Sequence, residues 1–414
     1  MGNSRKYEMA KHAFNTVPYY REKLEQNPKL LRDIEQNRGW ENLPLTEKNE
    51  IVLAQDQLIS EEYLGEMVTG RLLRSHTSGS TGTYLDVYWN RADYTTSLIP
   101  LWKERYKYAR VHTRDRVCMF NTTLKNQKEY LIAGSQMLIS KKNITRKKLV
   151  MLYEKILEFD PVWILIHPGI AGMLLQIVKE ERLQIPASLR YIELTGEMVL
   201  EGLTRELEIV FECKVRCHYG TMEVNTIGIE EEGGYRIFDN STYVEILDSD
   251  GNIVKEGQYG NIYVTSLHNR AMPLIRYGIG DMGRIVSGNN GEQRIELKKA
   301  RRNDLLDISA GYRMPPDVLL GPVEEINQMM GSMVYQFQVV QKSNHFLVIK
   351  VVLDSEMSEE EFIRLYQKYF NEDWRDEFDW KYEFYRTILV NPDTGKSGWF
   401  ENQIERNKSS VKRK

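Results

Sequence analysis

Thr77-Ser78-Gly79-Ser80-Thr81-Gly82 is the densest run of chemistry-bearing residues in the chain. Its glycines let backbone amides approach an oxyanion closely, and its hydroxyls add further donors. The run is therefore a candidate phosphate cradle, although the same composition also describes a plain flexible loop. The Gly-Lys-Ser/Thr ending of a P-loop is missing, so that motif is excluded. Cys213, Cys217 and His218 stand close together, but no second ligand pair follows at zinc-like spacing. They read as ordinary buried or half-buried side chains.

A second group of candidates depends on the elements that must hold it. Leu149, Leu152, Tyr153 and Ile156 fall on one helical face. Trp163 to His167 reads as a short apolar strand closed by Pro168-Gly169, and a helix follows through Met173, Leu174, Ile177 and Val178. Arg190 to Leu194 reads as strand, Leu200 to Phe211 as helix and Lys214 to Tyr219 as strand. This alternation predicts an α/β sheet, and such sheets bind ligands at the ends of their strands. His167, Gly196 and Glu197 lie at such ends and are candidates for a substrate pocket. A lone histidine there also has a structural reading.

The chain flanking this region changes style. Residues 1 to about 70 look helical and polar. Leu85 to Trp89 reads as a strand. Tyr243 to Leu247 with Gly260 to Val264, and Gly283 to Leu297, read as hairpins, a β-rich subregion. Phe337 to Gln341 and Phe346 to Leu353 look like paired strands. Ser358 and Glu361 form a capping box ahead of a helix with Phe362, Leu365, Tyr366 and Tyr369 on one face, and Lys381 to Val390 reads as the last strand. The expected architecture is thus a large α/β N-terminal domain, 1–302, and a small α+β C-terminal domain, 303–414.

Composition narrows the function class. Hydrophobic residues make up 41% and charged residues 28% of the 414, as in soluble globular proteins. The net charge of -3 provides no basic field for nucleic acid. Three cysteines imply no disulfide framework and fit a cytoplasmic setting. The start Met1 to Lys6 has no apolar region and does not read as a signal peptide. The stretch Val162 to Val178, interrupted by His167-Pro168-Gly169, is too short for a membrane span.

Four further motifs follow the hydroxyl-rich loop in order. They are Tyr219-Gly220-Thr221-Met222-Glu223, then Met272 to Asp281 with Arg276-Tyr277-Gly278-Ile279-Gly280-Asp281, then Ala300-Arg301-Arg302-Asn303-Asp304, and finally Thr394-Gly395-Lys396. Together they resemble the adenylate-forming superfamily of acyl-CoA synthetases and adenylation domains, in particular its phenylacetate-CoA ligase and CapK-like branch. Pro18-Tyr19-Tyr20-Arg21 and Leu43 to Lys48 look like that branch too, so the resemblance runs over nearly the whole chain.

The resemblance implies a reaction and a set of roles. A carboxylic acid would be activated by ATP to an acyl-adenylate with release of pyrophosphate, then passed to CoA. Alternatives are a stand-alone enzyme loading the phosphopantetheine of a carrier protein, or a non-catalytic nucleotide-binding relative. The loop Thr77 to Gly82 would close over the phosphates. Tyr219 and Gly220 would flank adenine and the acyl pocket, and Thr221 would touch the α-phosphate. Glu223 would hold Mg2+, Asp281 and Arg301 would meet the ribose, and Lys396, on a mobile C-terminal domain, would contact carboxylate and α-phosphate. Such chemistry needs no nucleophilic side chain. Two anions must be brought together, and cations and fixed dipoles do that work. The sequence departs from the branch at Tyr84, Ala300 and Asn303, and in the shortened segment Asn121 to Gln127, which implies a specialised acid.

Overall fold

The computed structural model describes residues 2–25, 27–77, 85–122, 124, 128–288, 291–308, 312–391 and 396–404. The chain divides into two compact units, Met1–Tyr108 with His218–Lys298, and Ala109–Cys217 with Lys299–Lys414.

In the first unit, helices Gly2–Thr16, Pro18–Glu25 and Pro28–Glu35 pack together and share a core with the strands. Strands Thr242–Leu247, Gly260–Ser266, Tyr277–Ser287, Gln293–Arg301, Gly234–Ile237 and Asn225–Glu231 are neighbours in that order. The hairpins expected around 243–264 and 283–297 are present. Trp89, Tyr20 and Tyr277, each at most 1% exposed, fill the interior.

The second unit holds the α/β part. Tyr191–Thr195, Trp163–Ile166, Val117–Thr122 and Gln136–Ser140 are neighbours and run parallel, and Tyr130–Ala133 adds an antiparallel edge. Trp163–Ile166 is buried at every position, as a parallel strand covered on both faces must be. Helix Arg146–Phe159 buries the four residues whose spacing marks its apolar face, and the Thr145 side chain caps it through the Lys148 amide. The strand ends before Pro168 as expected, and Pro168 itself opens helix Pro168–Glu181, where its missing N–H costs nothing.

The C-terminal segment adds a sheet ordered Asp379–Phe384, Phe346–Leu353, Val334–Ser343, Phe400–Asn402. Its core is aromatic, with Phe362 and Tyr366 fully buried. Ser358 accepts the Glu361 amide as expected, while the Glu361 carboxylate faces Arg364 at 3.9 Å. The strand expected over 381–390 stops at Phe384. Beyond it the Gln336 side chain takes over, accepting from the Ile388 amide and donating to the Ile388 carbonyl, so the backbone there leaves the ladder. The last strand is Phe400–Asn402, parallel to Val334–Ser343. No helix among the described residues is long and apolar enough to cross a membrane.

Candidate active site

Three parallel strands of the second unit end together, and each delivers a polar residue at its carboxyl end. Gln136–Ser140 leads into Lys141, Trp163–Ile166 into His167, and Tyr191–Thr195 into Gly196 and Glu197. The C-terminal segment brings Lys396 and Ser397 to the same place.

His167 is 5% exposed, and its Nδ1 lies 2.8 Å from the Thr195 carbonyl. A carbonyl only accepts, so Nδ1 carries the proton and Nε2 is left as an acceptor. Nε2 is buried with no hydrogen-bond partner among the described residues. Burial drives the imidazole down to about 4, and the cations Lys396 and Lys141 push the same way, against the Thr195 carbonyl. Gly196 adopts φ +84°, and a side chain there would place its Cβ 2.8 Å from the His167 ring. Only glycine serves both demands.

Glu197 is half-buried, and both its oxygens are engaged. Oε2 accepts from the Gly169 amide at 3.0 Å and Oε1 from the Ser397 amide at 2.7 Å. Burial pushes the carboxyl up to about 7, although both amides, Lys396 and Lys141 favour its charge. Burial together with Lys396 and Lys142 lowers the Lys141 ammonium, against the pull of Glu197. Lys141 and Ser397 were not singled out from sequence. Both sit in polar loops, and no local pattern marks their convergence.

Opposite shifts on neighbouring groups give a pH signature. His167 binds its proton more weakly folded than unfolded, so its stabilising contribution is present above pH 6.5 and lost as pH falls toward 4. Glu197 binds its proton more tightly folded, so its contribution is present below pH 4.5 and lost as pH rises through 7. Between these limits the two oppose each other. Glu197→Gln leaves the histidine alone, and its urea midpoint is expected to fall more steeply than wild type between pH 7 and 5. The added slope reaches at most about 1.4 kcal/mol per pH unit. His167→Gln has the reverse slope. Parallel curves for all three proteins would rule out these shifts.

The first unit holds the other candidates except Arg301, which belongs to the second. Tyr219, largely buried, donates its hydroxyl to Asp281 Oδ2 at 2.9 Å. Gly220 is pressed against the next strand, where a Cβ would fall 2.2 Å from the Asn225 carbonyl oxygen. Thr221 accepts from the Val224 amide at 3.4 Å. Glu223 is 8% exposed, takes the Tyr277 hydroxyl at 3.0 Å and lies 3.8 Å from Lys48, a residue given no role from sequence. Among the described residues no cluster of three His, Cys, Asp or Glu could hold a metal. A magnesium ion needs no such cluster, since one carboxylate plus substrate phosphates can suffice. Arg301 is exposed, and its amide is held by Asp304. Thr77 is buried and exchanges hydrogen bonds with Leu85. Ser78, Gly79, Ser80, Thr81 and Gly82 lie outside the described residues.

No protein-family model matches the chain. It is similar to a phenylacetate-coenzyme A ligase of Escherichia coli (strain K12), 23% identical over 366 residues, which cover 83% of this chain and 79% of that protein. It is also similar to a phenylacetate-coenzyme A ligase of Pseudomonas putida, 30% identical over 132 residues. That match spans only 30% of the Pseudomonas protein's length. Among solved structures, a 2-hydroxyisobutyryl-CoA ligase in the postadenylation state in complex with R3-HIB-AMP aligns with 100% of this chain and 91% of its own. The TM-score is 0.73 at 16% identity, a likeness of fold.

Proposed function

We propose that this chain, similar to phenylacetate-CoA ligases and to a CapK protein, activates an aryl or acyl carboxylic acid with ATP and transfers the acyl group to coenzyme A. The observation that carries this reading is the convergence of Lys396, Lys141, Glu197 and His167 at the ends of parallel strands. It is where an α/β sheet binds ligands, and it concentrates cations where two anions must meet.

In the first step a substrate carboxylate oxygen attacks the α-phosphorus of ATP, the bond to the bridging oxygen breaks, and pyrophosphate leaves. Lys396 offsets the charge of the carboxylate and the α-phosphate, and Thr221 contacts the same phosphate. Thr77 to Gly82 cradles the leaving phosphates. Glu223 is the residue that would hold Mg2+, oriented by Tyr277, and the ion supplies further neutralisation of the phosphates. Tyr219 and Gly220 line the adenine side, and Arg301 and Asp281 meet the ribose. In the second step the thiol attacks the acyl carbon, AMP departs, and the thiol proton passes to solvent. We propose that segment 303–414 pivots near Asn303 to withdraw Lys396 between the steps. The setting we propose is the cytoplasm, where the three buried thiols stay reduced.

Pyrophosphate release with ATP and Mg2+ across aryl, fatty and hydroxy acids, with and without CoA, tests the reading. Release that depends on one acid and ends in a CoA thioester is the expected result. Release without thioester formation points to another acceptor, such as the phosphopantetheine of a carrier protein. Silence across the panel with ATP binding intact argues for a non-catalytic relative.

Asp281→Ala is expected to weaken ATP binding about ten- to hundredfold, because it removes a charged hydrogen-bond acceptor. Isothermal titration checks this. An unaltered affinity excludes the ribose role.

A further inference from the structure

One side chain ties the residue after Lys396 to the end of the parallel sheet. Glu197 accepts the Ser397 amide at 2.7 Å with one oxygen and the Gly169 amide at 3.0 Å with the other. Gly169 lies in the first turn of helix Pro168–Glu181, so the carboxylate is anchored where the helix dipole favours negative charge. The packing here is close. A Cβ on Gly169 would fall 2.2 Å from Ser397 Oγ and 3.0 Å from Glu197 Oε2. Ser397 Oγ is buried with no hydrogen-bond partner among the described residues, so its hydroxyl supplies shape and its backbone amide supplies the attachment. The Lys396 side chain rises beside the same strand end, with Cε 3.8 Å from where a Gly196 Cβ would stand.

We propose that Glu197 is a positioning residue, a carboxylate hook that docks the Lys396 loop for acyl-adenylate formation and lets it go for acyl transfer. The proposal rests on the reading that Lys396 serves the first step. A charge-assisted bond to one backbone amide is strong enough to hold a loop and weak enough to break in each turnover. When Ser397 leaves, the Gly169 amide keeps the hook in place. The sequence marks Glu197 as a pocket residue, whereas its two bonds engage backbone amides.

Hydrogen exchange of the full chain tests the hook without any substrate. In Glu197→Ala the amides of 396–398 are expected to exchange about ten- to hundredfold faster, the effect of losing one bond to a charged acceptor. The strands Trp163–Ile166 and Tyr191–Thr195 serve as the folding control and stay protected. Gly169→Ala crowds Ser397 without altering the charge and gives the same loop signature, and Ser397→Gly in that background restores protection. With phenylacetate as the probe acid, Glu197→Ala lowers acid-dependent ATP–pyrophosphate exchange, while CoA-dependent consumption of supplied phenylacetyl-AMP stays within about twofold, as loss of a residue acting in one step alone requires. Unchanged exchange at 396–398, or both half-reactions falling by one factor, overturns the proposal. A wild-type protein silent with every acid, whose loop still responds to Glu197→Ala, counts against the proposed activity and supports the docking.

Discussion

Lys396→Ala is expected to lower acid-dependent pyrophosphate release about a hundred- to a thousandfold while ATP affinity stays within about twofold. The physical ground is the repulsion between a carboxylate and a polyphosphate. A fixed cation between them acts where charge is redistributed, and the nucleotide keeps its other contacts in the absence of that cation. Lys396 is half-buried among Lys141, His167 and Glu197, so its charge acts through partly dehydrated surroundings. Lys141 does not replace it, because a second cation held on its own loop contributes from another position. Lys396→Met keeps the alkyl stem and should be as impaired as Lys396→Ala, which separates charge from packing. Stopped-flow pyrophosphate detection with a titration of ATP binding measures both quantities. Undiminished release in Lys396→Ala would sink the assignment, and an equal loss of ATP affinity would make the lysine a nucleotide ligand instead.

The second large effect concerns stability. Arg276 and Glu245 form an ion pair with both side chains 1% exposed, at 3.1 Å between Nη2 and Oε1. The guanidinium also donates to the Glu41 and Leu43 carbonyls at 2.8 and 2.6 Å, and Trp40 Nε1 donates to Glu245 at 2.9 Å. Arg276 has φ +45°, an uncommon conformation for a residue with a side chain, and its backbone is held from both sides by Thr265 and Thr46. Arg276→Ala leaves a buried carboxylate with little compensation, and the expected loss is roughly 3–5 kcal/mol. Removing both charges, Arg276→Met with Glu245→Gln, is expected to cost less than Arg276→Ala alone, because no carboxylate is then buried without its guanidinium. Urea unfolding followed by tryptophan fluorescence measures the difference. A single variant no less stable than the double would show that the pair's charge is not what matters. Tyr277, the next residue, orients Glu223, so Arg276→Ala should also weaken whatever Glu223 does.

Much of the local structure was legible in the chain because it follows from short-range rules. The spacing of Leu149, Leu152, Tyr153 and Ile156 requires a helix with one buried face, and the apolar run at 163–166 requires a strand covered on both sides. The alternation of such elements identifies the sheet type, and the ordered motifs carry the resemblance to the adenylate-forming superfamily. His167, Gly196 and Glu197 were legible as strand-end residues for the same reason.

Other features came only from the tertiary structure, because they join residues far apart in sequence. Nothing near Glu197 announces that its carboxylate meets an amide 200 residues further on, and nothing near Lys141 announces Lys396. Sequence read Pro168 as the close of a strand, and the structure adds that the same residue, with its fixed φ, starts the helix that follows. Residues 385–390 read as strand, but the backbone of Ile388 bonds the Gln336 side chain in place of a neighbouring strand. Side-chain type and local period determine which elements form. Which carboxylate is desolvated, which imidazole nitrogen lacks a partner and which loop a side chain holds depend on long-range packing, since burial and hydrogen-bond competition exist only once distant segments have met.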